Sequence, residues 1–251
     1  MKMLAFAKRN RKEMMRDPLT LVFGVGFPVV LLLLMTIIER SVSGSTGVRV
    51  SQFEMQNLLP GLLVFGLSFL SLFSGMLLAG DRESSLLLRL FASPMKTLDY
   101  LLGYALPLML VAVLQSLICL FVGLILGASL SWRLLLMLLS LLPCAMLFLG
   151  FGLMLGSFMT YKQVGGAASI VVNVAAWLSG TWFELALIGG AFERICYLLP
   201  FAHAVDLVRK AYSGSGNVLE NLLFVILYAL LLLLIAALLF HRRIKGGTAR
   251  K

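Results

Sequence analysis

An all-α membrane protein is the fold class this sequence predicts, and composition, the length of its apolar runs and the placement of its charges carry that prediction. Hydrophobic residues make up 61% of the 251 positions and charged ones 13%, with a mean hydropathy of +1.01. Too little polar surface remains to coat a soluble globule. Crossing a hydrocarbon core of roughly 30 Å takes about 20 apolar residues, and backbone groups in lipid must be paired internally, so the crossings are expected to be helices. Six runs qualify, at 19–38, 58–79, 98–128, 134–158, 164–183 and 218–240. The third exceeds one crossing, so tilt, a kink at Pro107 or a projecting end must absorb the excess.

Six crossings place both termini on one side. That side holds fifteen of the 21 Lys and Arg and five of the 11 Asp and Glu, whereas the other holds six of each, so the whole formal charge of +10 falls on one face. Basic loops stay in the cytoplasm, which predicts a multi-pass protein of the cytoplasmic membrane with both termini and segment 80–97 inside. Topology and attraction to anionic membrane lipids account for the net charge, and no nucleic-acid partner is expected. A basic stretch precedes the first apolar run without a small-residue cleavage site after it, so the first span is expected to be retained. Cys119, Cys144 and Cys196 are scattered, without metal or disulfide spacing.

Residues 1–17 place Met3, Phe6, Ala7 and Met14 on one helical face, interrupted by Asn10 and Arg11, which suits an amphipathic helix along the inner membrane surface. Asp17-Pro18 breaks it and starts the next helix. The insert at 81–94 reads as a short helix closed by Pro94, with Leu86, Leu87, Leu90 and Phe91 on one face and Arg82, Ser85 and Arg89 on the other. Spacing alone leaves two roles open, lying on the bilayer or filling a groove on a cytosolic protein. Among polar span residues, Gln115 and Asn173 are candidates for lining a pathway or for bonding a neighbouring helix, with Trp177 and Trp182 near the outer end. Gly152 and Gly156 have small-x-x-x-small spacing, and Gly165 and Gly166 are expected to serve close packing too. His203 has no second ligand nearby and reads as an interfacial residue.

Asp81-Arg82-Glu83, the leucine-rich turn, Arg89-Leu90 and Ser93-Pro94 together resemble the cytoplasmic loop of ABC type-2 exporter permeases, whose pattern is approximately D-R-E-x-G-T-L-x-x-L-x-x-(S/T)-P. The basic amino-terminal helix, Asp17-Pro18, Pro28, Leu59-Pro60-Gly61, Tyr100-Leu101-Leu102-Gly103, Leu178-Ser179-Gly180 and Leu199-Pro200-Phe201 follow in the family's order along essentially the whole chain. The chain departs from the pattern in two places: in the loop Ser85 replaces the usual Gly and Leu86 and Leu88 stand where Thr and an acidic residue are common, and near Phe183 Glu184 stands where Pro is common.

The resemblance implies a single domain over 1–251 that pairs with a second permease copy or paralogue and sits on two ABC ATPase subunits. ATP and Mg would bind the ATPases, since this chain binds no cofactor or metal by any motif it carries and lacks G-x-x-x-x-G-K-(S/T). It implies ATPase coupling through Asp81, Arg82, Glu83, Leu87, Arg89, Leu90, Phe91 and Pro94. It also implies an outer hairpin at 184–216 that re-enters the membrane as two half-helices between the fifth and sixth spans, with Glu184 and Pro200 at the gate. Amphipathic cargo such as a drug or lipid is the expected substrate class, with polysaccharide or glycolipid export as the alternative. An energy-coupling importer subunit fits less well, because paired A-R-G motifs are missing, and a membrane enzyme would need a carboxylate cluster or nucleophile that is not found.

Overall fold

The computed structural model describes residues 2–47, 51–84 and 97–248, which are helical throughout apart from short turns. Helix α1 covers Lys2–Met14 and is followed at once by α2, Pro18–Leu21. Asp17 starts α2 by accepting from both the Thr20 N–H and its hydroxyl, and Pro18 fits the first helical position because no N–H is needed there. A π-helical turn, Val22–Gly26, joins α2 to α3, Phe27–Thr46. Then come α4 (Met55–Glu83), α5 (Thr97–Leu126), α6 (Arg133–Phe158) and α7 (Tyr161–Leu178). Three short helices, α8 (Leu185–Ile188), α9 (Gly190–Leu198) and α10 (Pro200–Ser213), precede α11, Val218–Thr248.

Five stretches are long and apolar enough to cross a membrane: Val22–Ser45, Met55–Glu83, Thr97–Leu126, Arg133–Phe158 and Val218–Arg242. Helix α7, expected as one of six crossings, is not among them, because its 18 residues include Lys162, Gln163 and Asn173. The second helix also outruns its expected bounds of 58–79 at both ends, so Asp81, Arg82 and Glu83 form its last turn. Leu87, Arg89, Leu90, Phe91 and Pro94 lie outside the described residues.

Helix α4 is the axis of the bundle: 83% of its apolar window is buried, against 22% for those of α3 and α11. Leucines and isoleucines exposed on α3 and α11, such as Ile37 and Leu227, suit lipid tails, where no hydrophobic force pulls them inward. Close backbone approach fixes α4 against α6. A Cβ on Gly152 would stand 1.9 Å from the Ser74 hydroxyl and 2.3 Å from the Ser71 carbonyl, so the small-residue spacing at Gly152 and Gly156 is used for packing. Gly165 and Gly166 differ from expectation and face open space on α7.

The elements alternate between two ends. One end collects α1, the last turn of α4, the start of α5 and the α6–α7 corner, and there Thr97 meets His241 Nδ1 at 3.3 Å. The opposite end joins α3 to α5 through Arg40 and the Leu126 carbonyl, 2.7 Å apart, and carries the α8–α10 hairpin. That hairpin has three short helices where two were expected. Pro200 opens α10 and a left-handed Gly214 closes it.

Candidate functional site

At the base of segment 85–96, donors from α1 and α5 converge on Asp81, which is only 4% exposed. Arg9 of α1 grips both of its carboxylate oxygens, at 2.6 and 2.8 Å, and the Tyr104 hydroxyl of α5 donates to Oδ2 at 2.9 Å. Arg9 also reaches Asn10 Oδ1 at 2.8 Å and Glu13 at 2.7 Å. The hydrogen bond to Asp81 holds the Arg9 guanidinium above its ordinary pKa, while burial raises the Glu13 carboxyl despite the opposing pull of Arg9. Two parallel charge-assisted bonds fix direction as well as distance, so α1 is held to α4 in one orientation.

A second fastening grows out of a proline. Pro107 has no N–H, which leaves the carbonyl four residues earlier, on Gly103, without its helical donor. Asn10, fully buried on α1, donates to that carbonyl at 3.0 Å. Phe6 lies over the bare Gly103, where a Cβ would be 2.4 Å from its ring, and meets Tyr100 and Tyr104 edge-on. Asn10, which interrupts the apolar stripe of α1 in the sequence, is thus one of the groups that attach the helix.

Arg82 and Glu83 are bonded within the chain as well. Arg82 donates to the Gly156 carbonyl and, at 3.0 Å, to that of Met159, both at the carboxyl end of α6. Glu83 accepts from the Tyr161 N–H at 2.8 Å, at the amino end of α7. Each charge faces the helix end of opposite partial charge. The turn therefore ties α4 to α1, α5, α6 and α7 immediately before segment 85–96.

The sequence model for the ABC-2 type transporter family matches residues 1–213, which includes this entire corner. The chain belongs to the ABC-2 type transporter family. It is accordingly a membrane-embedded permease subunit of an ABC transporter, a class that generally works with ABC ATPase subunits. No curated protein matches it.

Elsewhere in the permease, the expected pathway residues separate into different settings. Gln115 is fully buried on α5. With its amide oriented to satisfy both neighbours, it donates to the Gly24 carbonyl at 2.8 Å and accepts from the Leu67 N–H at 3.3 Å. Gly24 lies four residues before Pro28, so Gln115 repairs the π-helical turn as Asn10 repairs α5. A Cβ on Gly66 would overlap this amide, so a side chain there would push Gln115 off its two bonds. Asn173 is exposed and donates to the Ser169 carbonyl of its own helix at 2.8 Å, with Trp177 exposed on the same face. The Trp182 ring is half-buried and meets Phe65 edge-on at 5.6 Å. Glu184 accepts from the Ser51 hydroxyl at 2.7 Å, and Pro200 is buried.

His203, expected at the interface, is instead 6% exposed, between Asn221 Oδ1 at 2.8 Å and the Tyr197 carbonyl at 2.9 Å, and stacks on Phe224. Arg209 donates from Nε to the Asn57 carbonyl at 3.2 Å, while its Nη2 and the Asn221 Nδ2 are buried without a partner. Gln52 donates to the Gly180 carbonyl and links the start of α4 to the end of α7. Arg9, Tyr104 and Gln52 were not singled out from the sequence as site residues, and Asn10 only as a break in an apolar stripe. Glycines placed four residues before Pro28 and Pro107 were the available signal for the amide repairs, and nothing local marked the others.

Proposed function

We propose that this permease is the transmembrane half of an ATP-driven exporter, with α1 and segment 80–97 in the cytoplasm and a separate pair of ATPases docked beneath them. The observation that carries this is the Arg9–Asp81–Tyr104 lock at the root of segment 85–96. Force applied to that segment by a closing ATPase pair would pass through a fixed turn into α1, α4, α5, α6 and α7 together. Asp81, Arg82 and Glu83 act in this account as the mount, and Leu87, Arg89, Leu90, Phe91 and Pro94 as the docking surface. The cationic end faces the cytoplasm by the positive-inside rule.

Helix α7 serves as a sixth crossing. Its 18 residues span roughly 27 Å, and its two ends bond to partners at opposite ends of the bundle. Its exposed face carries Gly166, Ser169, Asn173 and Trp177, which is poorly suited to lipid. A second permease copy or paralogue covers that face, and Asn173 and Trp177 border the pathway between the two. The α8–α10 hairpin, with Trp182, Glu184 and Pro200, re-enters the outer leaflet as the gate. Amphipathic drug-like or lipid-like cargo suits the predominantly apolar exterior, and polysaccharide or glycolipid export is the second reading.

Purification from native membranes tests the assignment. A separate ATPase is expected to co-purify and to turn over ATP faster with this chain than alone. Leu87→Asp with Leu90→Asp is expected to abolish that association while membrane insertion persists. Isolation of the chain without any ATPase under every mild detergent, or unaltered association in the double variant, would overturn the coupling assignment.

A further inference from the structure

Two adjoining cavities open beside α1. The outer one, about 770 Å³, is bordered by Lys8, Lys12 and Arg16 together with Glu13 and Asp17. The inner one, about 310 Å³, shares Glu13 and Asp17 and continues onto an apolar wall of Phe23, Leu72, Phe73 and Met76. Both shared carboxylates already have partners within the chain, Glu13 with Arg9 and Asp17 with Thr20. The side chains of Lys8, Lys12 and Arg16 have no hydrogen-bond or ion-pair partner among the described residues. Lys8 and Lys12 stand one turn apart on α1, and Arg16 follows in the turn after it. Leu4 and Met15, 61% and 49% exposed, lie on the same side as these cations.

We infer that the paired cavities form a binding site for an anionic phospholipid. Its phosphate sits among Lys8, Lys12 and Arg16, and one acyl chain lies against Phe23, Leu72, Phe73 and Met76. Three uncommitted cations beside satisfied carboxylates select an anionic head. The continuous apolar wall selects a ligand with a hydrocarbon tail over a soluble phosphate compound, which would leave that wall uncovered. Leu4 and Met15 among the basic side chains have the pattern of a helix that anchors in the headgroup layer while its cations reach phosphate. The inference rests on the proposed cytoplasmic placement of α1, at the membrane surface that its amphipathic pattern suits, and is independent of cargo and of transport direction.

The test uses the full-length chain purified in detergent without ATPase, so that a failed transport assignment leaves its outcome readable. Native mass spectrometry compares retention of phosphatidylglycerol and phosphatidylcholine, with inorganic phosphate as the tail-less control. Phosphatidylglycerol is expected to bind about tenfold or more tightly than phosphatidylcholine, given about 1 kcal/mol per cation near an anionic surface. Inorganic phosphate at the same concentration is expected not to compete. Substituting K8Q, K12Q and R16Q together should abolish the preference, whereas K8R with K12R and R16K should keep it. Met76→Trp, which fills the inner cavity, should weaken lipid retention with every cation in place. Equal retention of the two lipids, competition by inorganic phosphate, or a preference that survives the three glutamines would overturn the site. So would loss of ATPase association in that variant with its lipid preference intact, which would assign the cations to a protein surface.

Discussion

The two ends of the bundle both bury polar side chains, and they differ in how completely those groups are paired. At the α1 end, Asp81 receives three donors from two other helices, Asn10 is bonded through both its amide nitrogen and its oxygen, and Arg82 and Glu83 each close a helix terminus. At the hairpin end, the Arg209 Nη2 and Asn221 Nδ2 are buried without an acceptor. The glycines with positive φ follow the same division. Gly47, Gly127, Gly180, Gly189, Gly190, Gly214 and Gly216 all sit at the hairpin end, two of them adjacent. A fully paired end resists rearrangement, because every move exposes a buried group. An end with orphan donors and glycine turns gains bonds by moving, which is what the gating role proposed for the hairpin requires.

Breaking the ion pair should have the largest effect. Arg9→Ala leaves Asp81 charged and buried, and loss of one partner from such a pair costs about 3–5 kcal/mol. Thermal unfolding in detergent should show this as the greatest destabilisation of any single change considered. Arg9→Met combined with Asp81→Leu, in a Tyr104→Phe background so that no buried hydroxyl loses its acceptor, should recover most of the loss, since neither charge is then stranded. If that double variant also keeps full ATPase stimulation, packing and not the fixed orientation of α1 transmits the force, and the proposed advantage of a charged lock disappears.

The two asparagines compare the ends directly. Asn10→Leu strips the Gly103 carbonyl of its donor beside Pro107 and should cost about 1–3 kcal/mol. Asn221→Leu removes an orphan donor along with one His203 contact, so gain and loss offset and stability should change by less than about 1 kcal/mol. Chemical denaturation of the two variants side by side measures the contrast. Equal costs would mean that the ends do not differ in satisfaction. Gln115→Leu belongs with Asn10→Leu in this ordering, because it uncaps Gly24 before Pro28 in the same way.

These amides also show how far the sequence could be read. The long apolar runs gave the crossing helices, and charge segregation is reproduced in the clustering of Lys8, Arg9, Arg11, Lys12, Arg16, Arg82 and Lys162 at one end. Asn10 was visible only as a flaw in an amphipathic stripe. Its partner lies 93 residues away, and recognising the pair requires noticing a carbonyl that a proline orphans. Arg9 and Asp81, 72 residues apart, carry no local mark at all, since any of several cations could have met that acid. Asp81-Arg82-Glu83 reads from the sequence as the start of a separate short helix over 81–94, because hydropathy falls there. Helical hydrogen bonding continues past the fall, and that turns Asp81 inward while Arg82 and Glu83 reach the ends of α6 and α7.

The smallest expected effect concerns Glu13 and tests whether the α1 end is locked by charge at its edge as well as at its centre. Burial raises the Glu13 carboxyl above its unfolded value, with Arg9 opposing. A group with a raised folded pKa binds its proton more tightly in the native state, so its contribution to stability is complete below the unfolded value of about 4.3 and is lost as pH rises through the folded value. Glu13→Gln keeps the shape and removes the titration. The variant should therefore match the parent under acid conditions and become slightly the more stable as pH climbs past the ordinary carboxylate range. The side chain is 48% exposed, so solvent screening holds the difference to on the order of 1 °C in Tm. A variant that instead loses stability as pH rises would show that the Arg9–Glu13 pair outweighs burial, and the charged lock would then extend from Asp81 to the rim of α1.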